Sequence, residues 1–296
     1  MTDFLQLSVS GLSLGFQYAL VALSITVILR ASGILNIFQG GMVLMGGYLT
    51  YMAHVQWHLP FLLAVVVALV IAGVINGGVE RVVLRRASQA AEMTAVLLTF
   101  GLLLAIEPVA EAIWGSQQLD MADPWALDTF RLSGLSLALR DVWAIALSVV
   151  AVFGMYLLFN HTRLGLSMRA NASDSEAAHA QGVRPSTVLG ISWALAGVLG
   201  ALVGMLMTTA VGGGVRPDVT AAAFAALPAI YLGGAGSPVG AVVGGVAIGL
   251  AQQYAAGYSP DFLGTGFSTV FPYLVLVLVL IIRPQGIFGI RAVRRA

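Results

Sequence analysis

Titratable side chains that could share a site occur as two pairs in this chain. His54 and His58 are four residues apart, and so are Glu107 and Glu111, a spacing that places both members of a pair on one face of a helix. Two imidazoles can hold a metal ion when a further ligand, such as a carboxylate, lies near them. The histidines flank a loop that ends at Pro60 and have no carboxylate near them in the sequence. A surface role is therefore favoured, and no metal site is predicted.

The two glutamates lie in the run AIEPVAEA, inside an otherwise apolar stretch. A carboxylate within a membrane is costly unless it meets water or a partner, and the cost falls toward the membrane surface. Both residues lie near the C-terminal end of the stretch Met93–Trp114. The sequence therefore favours a wet position near the surface, without a function, for Glu107 and Glu111.

The residue sets of the common catalytic sites are missing. The chain has no cysteine, which excludes disulfides and thiolate metal sites, and all of its 14 basic residues are arginine, which excludes a Walker A loop with its lysine. It also lacks a GxSxG nucleophile elbow and an Asp-rich diphosphate site. We expect a chain that is not an enzyme, with no catalytic residue and no bound cofactor. The net charge of +1 does not indicate a nucleic-acid partner.

Two amides and two pairs of glycines lie together in the run GILNIFQGGMVLMGGY. Glycine weakens a helix, and Asn36 and Gln39 are polar groups that must find partners at membrane depth. Paired glycines and a buried Asn are also common where transmembrane helices pack together. Both interpretations stay open, and the pathway hypothesis assigns a translocation path to Asn36, Gln39, Gly40 and Gly41.

The segment 162–185, TRLGLSMRANASDSEAAHAQGVRP, is a polar, alanine-rich island between two apolar runs. Ser173 or Asp174 can cap a helix at its N-terminus and Gly182 can end it, which predicts a short helix over Ser173–Gln181. A charged helix on one aqueous side of a membrane protein suits docking of a soluble partner. The docking residues are predicted to be Arg169, Asp174, Glu176, Ala177, Ala178 and Gly182.

The composition places the elements around these residues in a bilayer. Hydrophobic residues make up 59% of the chain and charged residues 9%, with a mean hydropathy of +0.94. A crossing needs roughly 20 apolar residues. Six stretches meet or nearly meet that length: Val9–Leu29, Ile34–Ala53, Phe61–Val79, Met93–Trp114, Val142–Phe159 and Val188–Val211. Three further crossings are predicted within Ala221–Leu232, Val239–Tyr254 and Val270–Ile282, which gives nine in all, although Ala221–Leu232 could instead be re-entrant.

Arginine predicts the orientation because basic residues favour cytoplasmic loops. With nine crossings and the 162–185 island inside, three arginines lie outside, namely Arg131, Arg140 and Arg216. Eleven lie inside: Arg30, Arg81, Arg85, Arg86, Arg163, Arg169, Arg184, Arg283, Arg291, Arg294 and Arg295. The predicted N-terminus is outside and the C-terminus is cytoplasmic.

Several of these segments together resemble the permease subunits of ATP-binding-cassette importers for branched-chain amino acids. The resemblance covers nearly the whole chain and follows the order GLSLGFQYALVALSITVIL, GILNIFQGGMVLMGGY, TRLGLSMRANASDSEAAHAQGV, AAFAALPAIYLGGAGSPVGAVVGGVAIGL and LVLVLVLIIRPQGIFG. The second block departs from the family pattern, because Gly41 stands where the family usually has Glu. The same family includes permeases for urea, short amides and aromatic acids, so the solute is assigned less sharply than the family.

The resemblance implies one all-α transmembrane permease domain over 1–296, similar to the vitamin-B12-type importer fold. It implies a bacterial inner-membrane protein that forms half of a pore with a second, different permease. Two cytoplasmic subunits would bind ATP and Mg, and a periplasmic binding protein would deliver the solute. The Ser173–Gln181 helix would dock Ala177, Ala178 and Ala180 in a groove of an ATP-binding subunit. A self-sufficient secondary transporter is the alternative from another class, and it would need ion-coupling carboxylates deep in the bilayer.

Overall fold

Helices form nearly all of the described structure. The computed structural model describes residues 2–86, 92–122, 124, 128–132, 135–209, 214–264, 266–283 and 285–289. Its helices are α1 (Thr2–Ser32), α2 (Gln39–Tyr51), α3 (Phe61–Val79), α4 (Glu92–Trp114), α5 (Leu139–His161), α6 (Arg163–Ser173), α7 (Ser175–Ala180), α8 (Pro185–Thr208), α9 (Ala221–Ala225), α10 (Leu227–Gly233), α11 (Pro238–Tyr258) and α12 (Phe267–Ile282). An antiparallel hairpin of β1 (Thr129–Leu132) and β2 (Leu135–Ala138) precedes α5. Short 3-10 turns lie at Pro217–Thr220 and Asp261–Leu263.

Six of the described helices are long and apolar enough to cross a membrane. They are Asp3–Ser32, Phe61–Leu84, Met93–Trp114, Leu139–His161, Pro185–Thr208 and Pro238–Tyr258. The shorter apolar helices are the stretch Ala223–Gly233 and α12, and α2 is a further short segment of 13 residues. The expected all-α polytopic membrane protein is therefore confirmed in class. The predicted nine crossings are reached only if each of the three shorter segments also crosses the membrane.

The second apolar stretch differs from its prediction. A crossing was predicted over Ile34–Ala53, but α2 begins only at Gln39 and continues beyond Tyr51 as a π-helical turn, Met52–Gln56. Gly33 has a φ of +73°, which ends α1, and Asn36 turns its side chain back onto the backbone N–H of Phe38. These two local preferences keep residues 33–38 out of a helix.

Helices α1, α2 and α8 form the centre of the bundle. In the most apolar windows of α1 and α8, 78% and 67% of residues are buried, against 22% for α4 and 17% for α5. Glycines allow the close contacts: a Cβ on Gly204 of α8 would overlap the carbonyl oxygen of Val43, and one on Gly46 of α2 would overlap Ala201. Small residues at such crossings replace the hydrophobic force that lipid does not supply.

The two ends of the bundle have different charge. A cleft at one end brings Arg30, Arg85 and Arg169 together with Ser237 and Phe288, so the ends of α1, α3 and α6 share this side with the turn between α10 and α11. We call it the arginine-rich side. The opposite side holds the start of α1 and the hairpin. Arg291, Arg294, Arg295, Asp123 and Val211 lie outside the described residues, as does the side chain of Arg131.

The segment from Pro217 to Gly233 runs between the two sides. Before it, Val215 forms a β-bridge with Leu119, which follows the end of α4. After it, the carbonyls of Leu232 and Gly233 accept hydrogen bonds from Ile287 and Phe288 on the arginine-rich side. The helix breaks at Ala226, where Pro228 lies in the first turn of α10 and lacks a backbone N–H. This course matches a crossing, and a re-entrant loop would return to the opposite side.

We expect Gly204→Ala to destabilise the protein because its methyl group would overlap the backbone of α2. Overpacking of this kind costs about 1–3 kcal/mol. Gly101→Ala in α4 is the matched control, since no atom lies within 4 Å of its added Cβ. Thermal unfolding in detergent would measure both variants. Equal unfolding temperatures for Gly204→Ala and the wild type would contradict the close packing of α2 and α8.

Candidate functional site

The predicted docking segment begins with an amphipathic helix that lies against the bundle. Thr162 caps α6 by accepting a hydrogen bond from the N–H of Gly165 at 3.1 Å. Asn171 donates to the carbonyl of Ala31 at the end of α1, at 3.2 Å, and Arg169 donates to the carbonyl of Phe159 in α5. Helix α6 is therefore joined to two of the long helices, and Arg169 is engaged within the chain.

A second, shorter helix follows and projects from the surface. Asp174 caps α7 by accepting from Glu176 N at 3.0 Å and Ala177 N at 2.9 Å. Gly182, with a φ of +88°, ends it. The predicted helix Ser173–Gln181 is thus confirmed in place, with Ser175–Ala180 as its observed bounds and Asp174, rather than Ser173, as its cap.

The face that α7 presents differs from the expected one. Ala178 is buried, with 5% of its surface exposed, so its methyl group already packs within this chain and cannot enter a groove on another protein. Glu176, Ala177 and Ala180 are exposed. The exposed surface of α7 therefore consists of small and polar side chains, which suits a close-fitting contact.

The cleft beside this segment carries an excess of positive charge. Its volume is about 1230 Å³, and its charged lining residues are Arg30, Arg85, Arg169 and Glu80. Asn171, Ser173 and Ser175 of the docking segment line it as well. A partner that docks on this side would thus meet a basic surface.

The acidic residue in that cleft joins α3 to the start of α8. Glu80 is 3% exposed, and Arg85 donates to its two carboxylate oxygens at 3.2 and 2.8 Å. The same guanidinium donates to the carbonyl of Ser186 at 2.9 Å, just after the docking segment ends. Sequence inspection missed this pair because the π-helical turn Glu80–Leu84 brings together residues five apart, whereas α-helical spacing pairs residues three or four apart.

The two amides of the pathway hypothesis lie at the start of α2: Asn36 precedes the helix and Gln39 is its first residue. Gln39 donates to the carbonyl of Ala196 at 2.9 Å, and Asn36 accepts from the N–H of Phe38 at 3.1 Å. Asn36 also donates to Gln39 at 3.5 Å, and Thr99 of α4 accepts from the N–H of Ile37. Asn36, Gln39 and Thr99 are fully buried. Their hydrogen bonds replace those that a continuous helix would make, as a membrane interior requires.

The two glycines of the same hypothesis bring α2 close to its neighbours. A Cβ on Gly40 would lie 3.0 Å from the carbonyl oxygen of Thr220, and one on Gly41 would lie 2.9 Å from Ile106 of α4. All four residues are thus brought together, inside the subunit rather than at either described cleft. The structure gives them a packing role, and lining of a path stays a prediction.

Glu107 lies deeper than its place in α4 suggests. It follows Ile106, which packs at the first turn of α2, and it accepts a hydrogen bond from the hydroxyl of Thr220. That first turn contacts Ala196, the twelfth of the 24 residues of α8. Glu107 is therefore near the middle of the bundle, and Glu111 lies one turn closer to the opposite side.

The histidine pair is elsewhere: His54 is hydrogen-bonded to the carbonyl of Leu59 at 2.8 Å.

A second cleft opens on the opposite side, between α1, α5 and α11. Its volume is about 860 Å³, and Ser10 of α1 donates to Asp141 of α5 at 3.2 Å within it. Arg140 lies 3.9 Å from that carboxylate. Polar residues of α1, as far as Gln17, line this cleft. In the sequence they stand as single polar residues in an apolar run, so the cleft was not predicted.

We expect Asn36→Ala to lower stability by about 1–2 kcal/mol, because the N–H of Phe38 would lose its acceptor in a fully buried site. Asn160→Ala is the matched control, since Asn160 is exposed and, among the described residues, its side chain bonds to Tyr156 of its own helix. Thermal unfolding of the purified chain would measure the difference. An Asn36→Ala variant of wild-type stability that no longer supports transport would contradict the packing role and favour the pathway hypothesis.

We expect Arg85→Ala to destabilise the protein by about 3 kcal/mol, because it leaves the buried carboxylate of Glu80 without its partner. Arg86→Ala removes an exposed neighbouring charge and serves as the control. The double variant Glu80→Gln with Arg85→Gln should recover part of the loss. Unfolding temperatures would measure the series, and equal values for Arg85→Ala and Arg86→Ala would contradict the pair's structural role.

Comparison with known proteins gives one consistent family. The chain is 26% identical over 301 residues to the high-affinity branched-chain amino acid transport system permease protein LivH of Escherichia coli (strain K12). The aligned region covers 97% of this chain and 96% of that protein. It is 23% identical to BraD of Pseudomonas aeruginosa, with the same two coverages. A probable LivH of Methanocaldococcus jannaschii is 25% identical, with coverages of 92% and 88%.

A solved structure shares the fold. A chain of PsaBC from Streptococcus pneumoniae in complex with Fab matches with a TM-score of 0.50 and 15% identity, over 95% of this chain and 92% of that chain. The family model described as branched-chain amino acid transport system / permease component matches residues 7–280. Since that match spans nearly the entire sequence, the chain belongs to the family of permease components of branched-chain amino acid transport systems.

Proposed function

We propose that this chain is one of two membrane subunits that form the pore of an ATP-driven importer of branched-chain amino acids. The observation that carries the proposal is the family match over residues 7–280, which includes both the membrane helices and the α6–α7 segment. A second permease completes the pore, two cytoplasmic subunits bind ATP and Mg, and a periplasmic binding protein delivers the solute.

An arrangement of nine crossings, similar to the vitamin-B12-type fold but with one crossing fewer before α6, fits the helices. The six long helices, α2, the α9–α10 segment and α12 give nine membrane segments. Four of the nine follow α7, beginning with α8. Exposed apolar side chains on α3 and α5, such as Leu62, Val74 and Val150, are covered by lipid or by another subunit.

Helix α7 is the contact with an ATP-binding subunit. It is short, capped at both ends and exposed through Glu176, Ala177 and Ala180, while Asp174 and Gly182 fix its ends. Arg169 and the buried Ala178 hold the segment against the bundle. The segment is joined to the end of α1 through α6, and the start of α8 that follows it is held by Arg85. A displacement of α7 would therefore be passed to α1 and α8, two of the three central helices.

The orientation follows from the arginine-rich side. Basic residues favour the cytoplasmic loops of a bacterial inner-membrane protein. We therefore place the arginine-rich side and the C-terminus in the cytoplasm and the start of α1 outside.

The function is tested by expressing the chain with the second permease, the ATP-binding subunits and the binding protein of its source and reconstituting the complex in vesicles. We expect ATP-dependent uptake of leucine, isoleucine or valine. Uptake of urea, a short amide or an aromatic acid in place of these would overturn the solute assignment. Ion-driven uptake by this chain alone would overturn the importer assignment in favour of a secondary transporter.

We expect Ala177→Arg to lower uptake by roughly tenfold while the complex still hydrolyses ATP, because a bulky charge in a close-fitting contact costs more than about 1 kcal/mol. Ala177→Ser keeps the side chain small and is the control at the same position. Uptake and ATP hydrolysis are measured on the same vesicles. Wild-type uptake by Ala177→Arg would remove α7 from the contact.

The orientation can be mapped with single cysteines, since the chain has none of its own. We expect Ser173→Cys and Ala235→Cys to resist a membrane-impermeant thiol reagent added outside intact cells, and Ser116→Cys to react. All three residues are loop or surface positions, and Ala235 lies in the turn between α10 and α11. Labelling of Ala235→Cys from outside would contradict the crossing by α9–α10.

A further inference from the structure

A row of residues on α4 combines two carboxylates with apolar side chains at membrane depth. Phe100, Leu104, Glu107 and Glu111 follow one another at helical spacing, and we call them the Glu107 row. Phe100 is 40% and Leu104 60% exposed, Glu111 is exposed and Glu107 is half-buried. Among the long helices, α4 has one of the smallest buried fractions, so much of this row has no cover from the rest of the chain.

Lipid is a poor environment for this row. A carboxylate at the centre of a bilayer is costly, and such residues face a bundle interior or a water-filled space. Within the described structure Glu107 has one hydrogen-bond donor, the hydroxyl of Thr220, which leaves most of its acceptor capacity unused. The Glu107 row therefore calls for an aqueous neighbour next to α4, and neither of the two clefts described above includes Glu107 or Glu111.

The backbone adds a further acceptor to the same place. Pro108 lies inside α4 and has no N–H, so the carbonyl of Leu104 loses its usual helical donor. That carbonyl and the two carboxylates give three acceptors and no charged donor. Such a set fits an ammonium group, which offers three N–H donors, and the side chains of Phe100 and Leu104 offer an apolar surface beside it.

We propose that the Glu107 row lines the translocation path and that Glu107 takes the ammonium group of the transported amino acid. The aliphatic side chain of the solute lies against Leu104 and Phe100. This assignment rests on the importer function proposed above, and it places the path on the free face of α4 rather than at the buried amides of α2. Thr220 holds the carboxylate in position from the turn that precedes α9.

Cysteine labelling separates a wet face from a lipid face. In the assembled complex in lipid vesicles, Glu107→Cys should react with a small, cationic, water-soluble thiol reagent. Val109→Cys is the matched control, because Val109 is 50% exposed at almost the same depth but points about 200° away around the helix. No reaction at Glu107→Cys, or equal reaction at both positions, would overturn the proposal.

Uptake by charge variants tests the role in transport. Glu107→Gln should lower leucine uptake by about tenfold, the loss expected for one charge-assisted hydrogen bond, while complex assembly and ATP hydrolysis persist. Glu107→Asp keeps the charge and should retain more uptake than Glu107→Gln. Thr220→Val removes the supporting bond together with a longer bond to the carbonyl of Pro217, at 3.3 Å, and should cost less than Glu107→Gln because the carboxylate remains.

The outcomes distinguish this proposal from the function on which it rests. If the wild-type complex takes up no branched-chain amino acid, the proposed function fails. If the wild type transports and Glu107→Gln does so equally well, only the role of Glu107 fails. An equal loss in Glu107→Gln and Thr220→Val would make the carboxylate a structural link between α4 and the turn before α9, and it would also overturn the proposal.

Discussion

The start of α2 in the middle of the bundle is the constraint on which the rest of the structure depends. A chain that leaves α1 at the arginine-rich side and begins its next helix at the level of Ala196 must carry non-helical backbone through a region without water. Each polar group there needs a partner within the protein. Asn36, Gln39 and Thr99 supply those partners, and glycines on α2 and α8 let the two backbones approach closely enough for the bond from Gln39 to reach Ala196.

This constraint divides the protein into a fixed centre and exposed working surfaces. Helices α1, α2 and α8 are packed through glycine contacts and buried hydrogen bonds, so they resist local change. Helix α7 and the free face of α4 are little covered by the rest of the described chain, and they carry Glu176, Glu107 and Glu111. Specific hydrogen bonds join this centre to the elements around it: Asn171 of α6 bonds to Ala31 of α1, Arg85 bonds to Ser186 of α8, and Thr99 of α4 bonds to Ile37, just before α2. Under the proposed function, such links would carry the movement of a partner subunit from the contact surface to the central helices.

Composition and hydropathy were enough to predict the membrane class and the long helices, because an apolar run of that length has few other stable structures. The capped helix α7 was also predictable, since Asp174 and Gly182 are local signals that act over three or four residues. Residues 33–38 were harder to assign, because Asn36 and Gln39 can serve packing or a path, and only their tertiary partners distinguish the two. The burial of Ala178, the pairing of Glu80 with Arg85 across a π-helical turn, and the depth of Glu107 all depend on contacts between distant segments, which spacing along the chain does not report.

The depth at which α2 begins can be measured directly on the assembled complex in a lipid disc. A density map that resolves both headgroup planes gives the distance of the Gln39 Cα from each of them. Our account predicts that Gln39 lies near the middle of the hydrocarbon layer, about 15 Å from either edge, with its amide on the carbonyl of Ala196. A continuous helix from Ile34 onward, with Gln39 close to one headgroup plane, would contradict it.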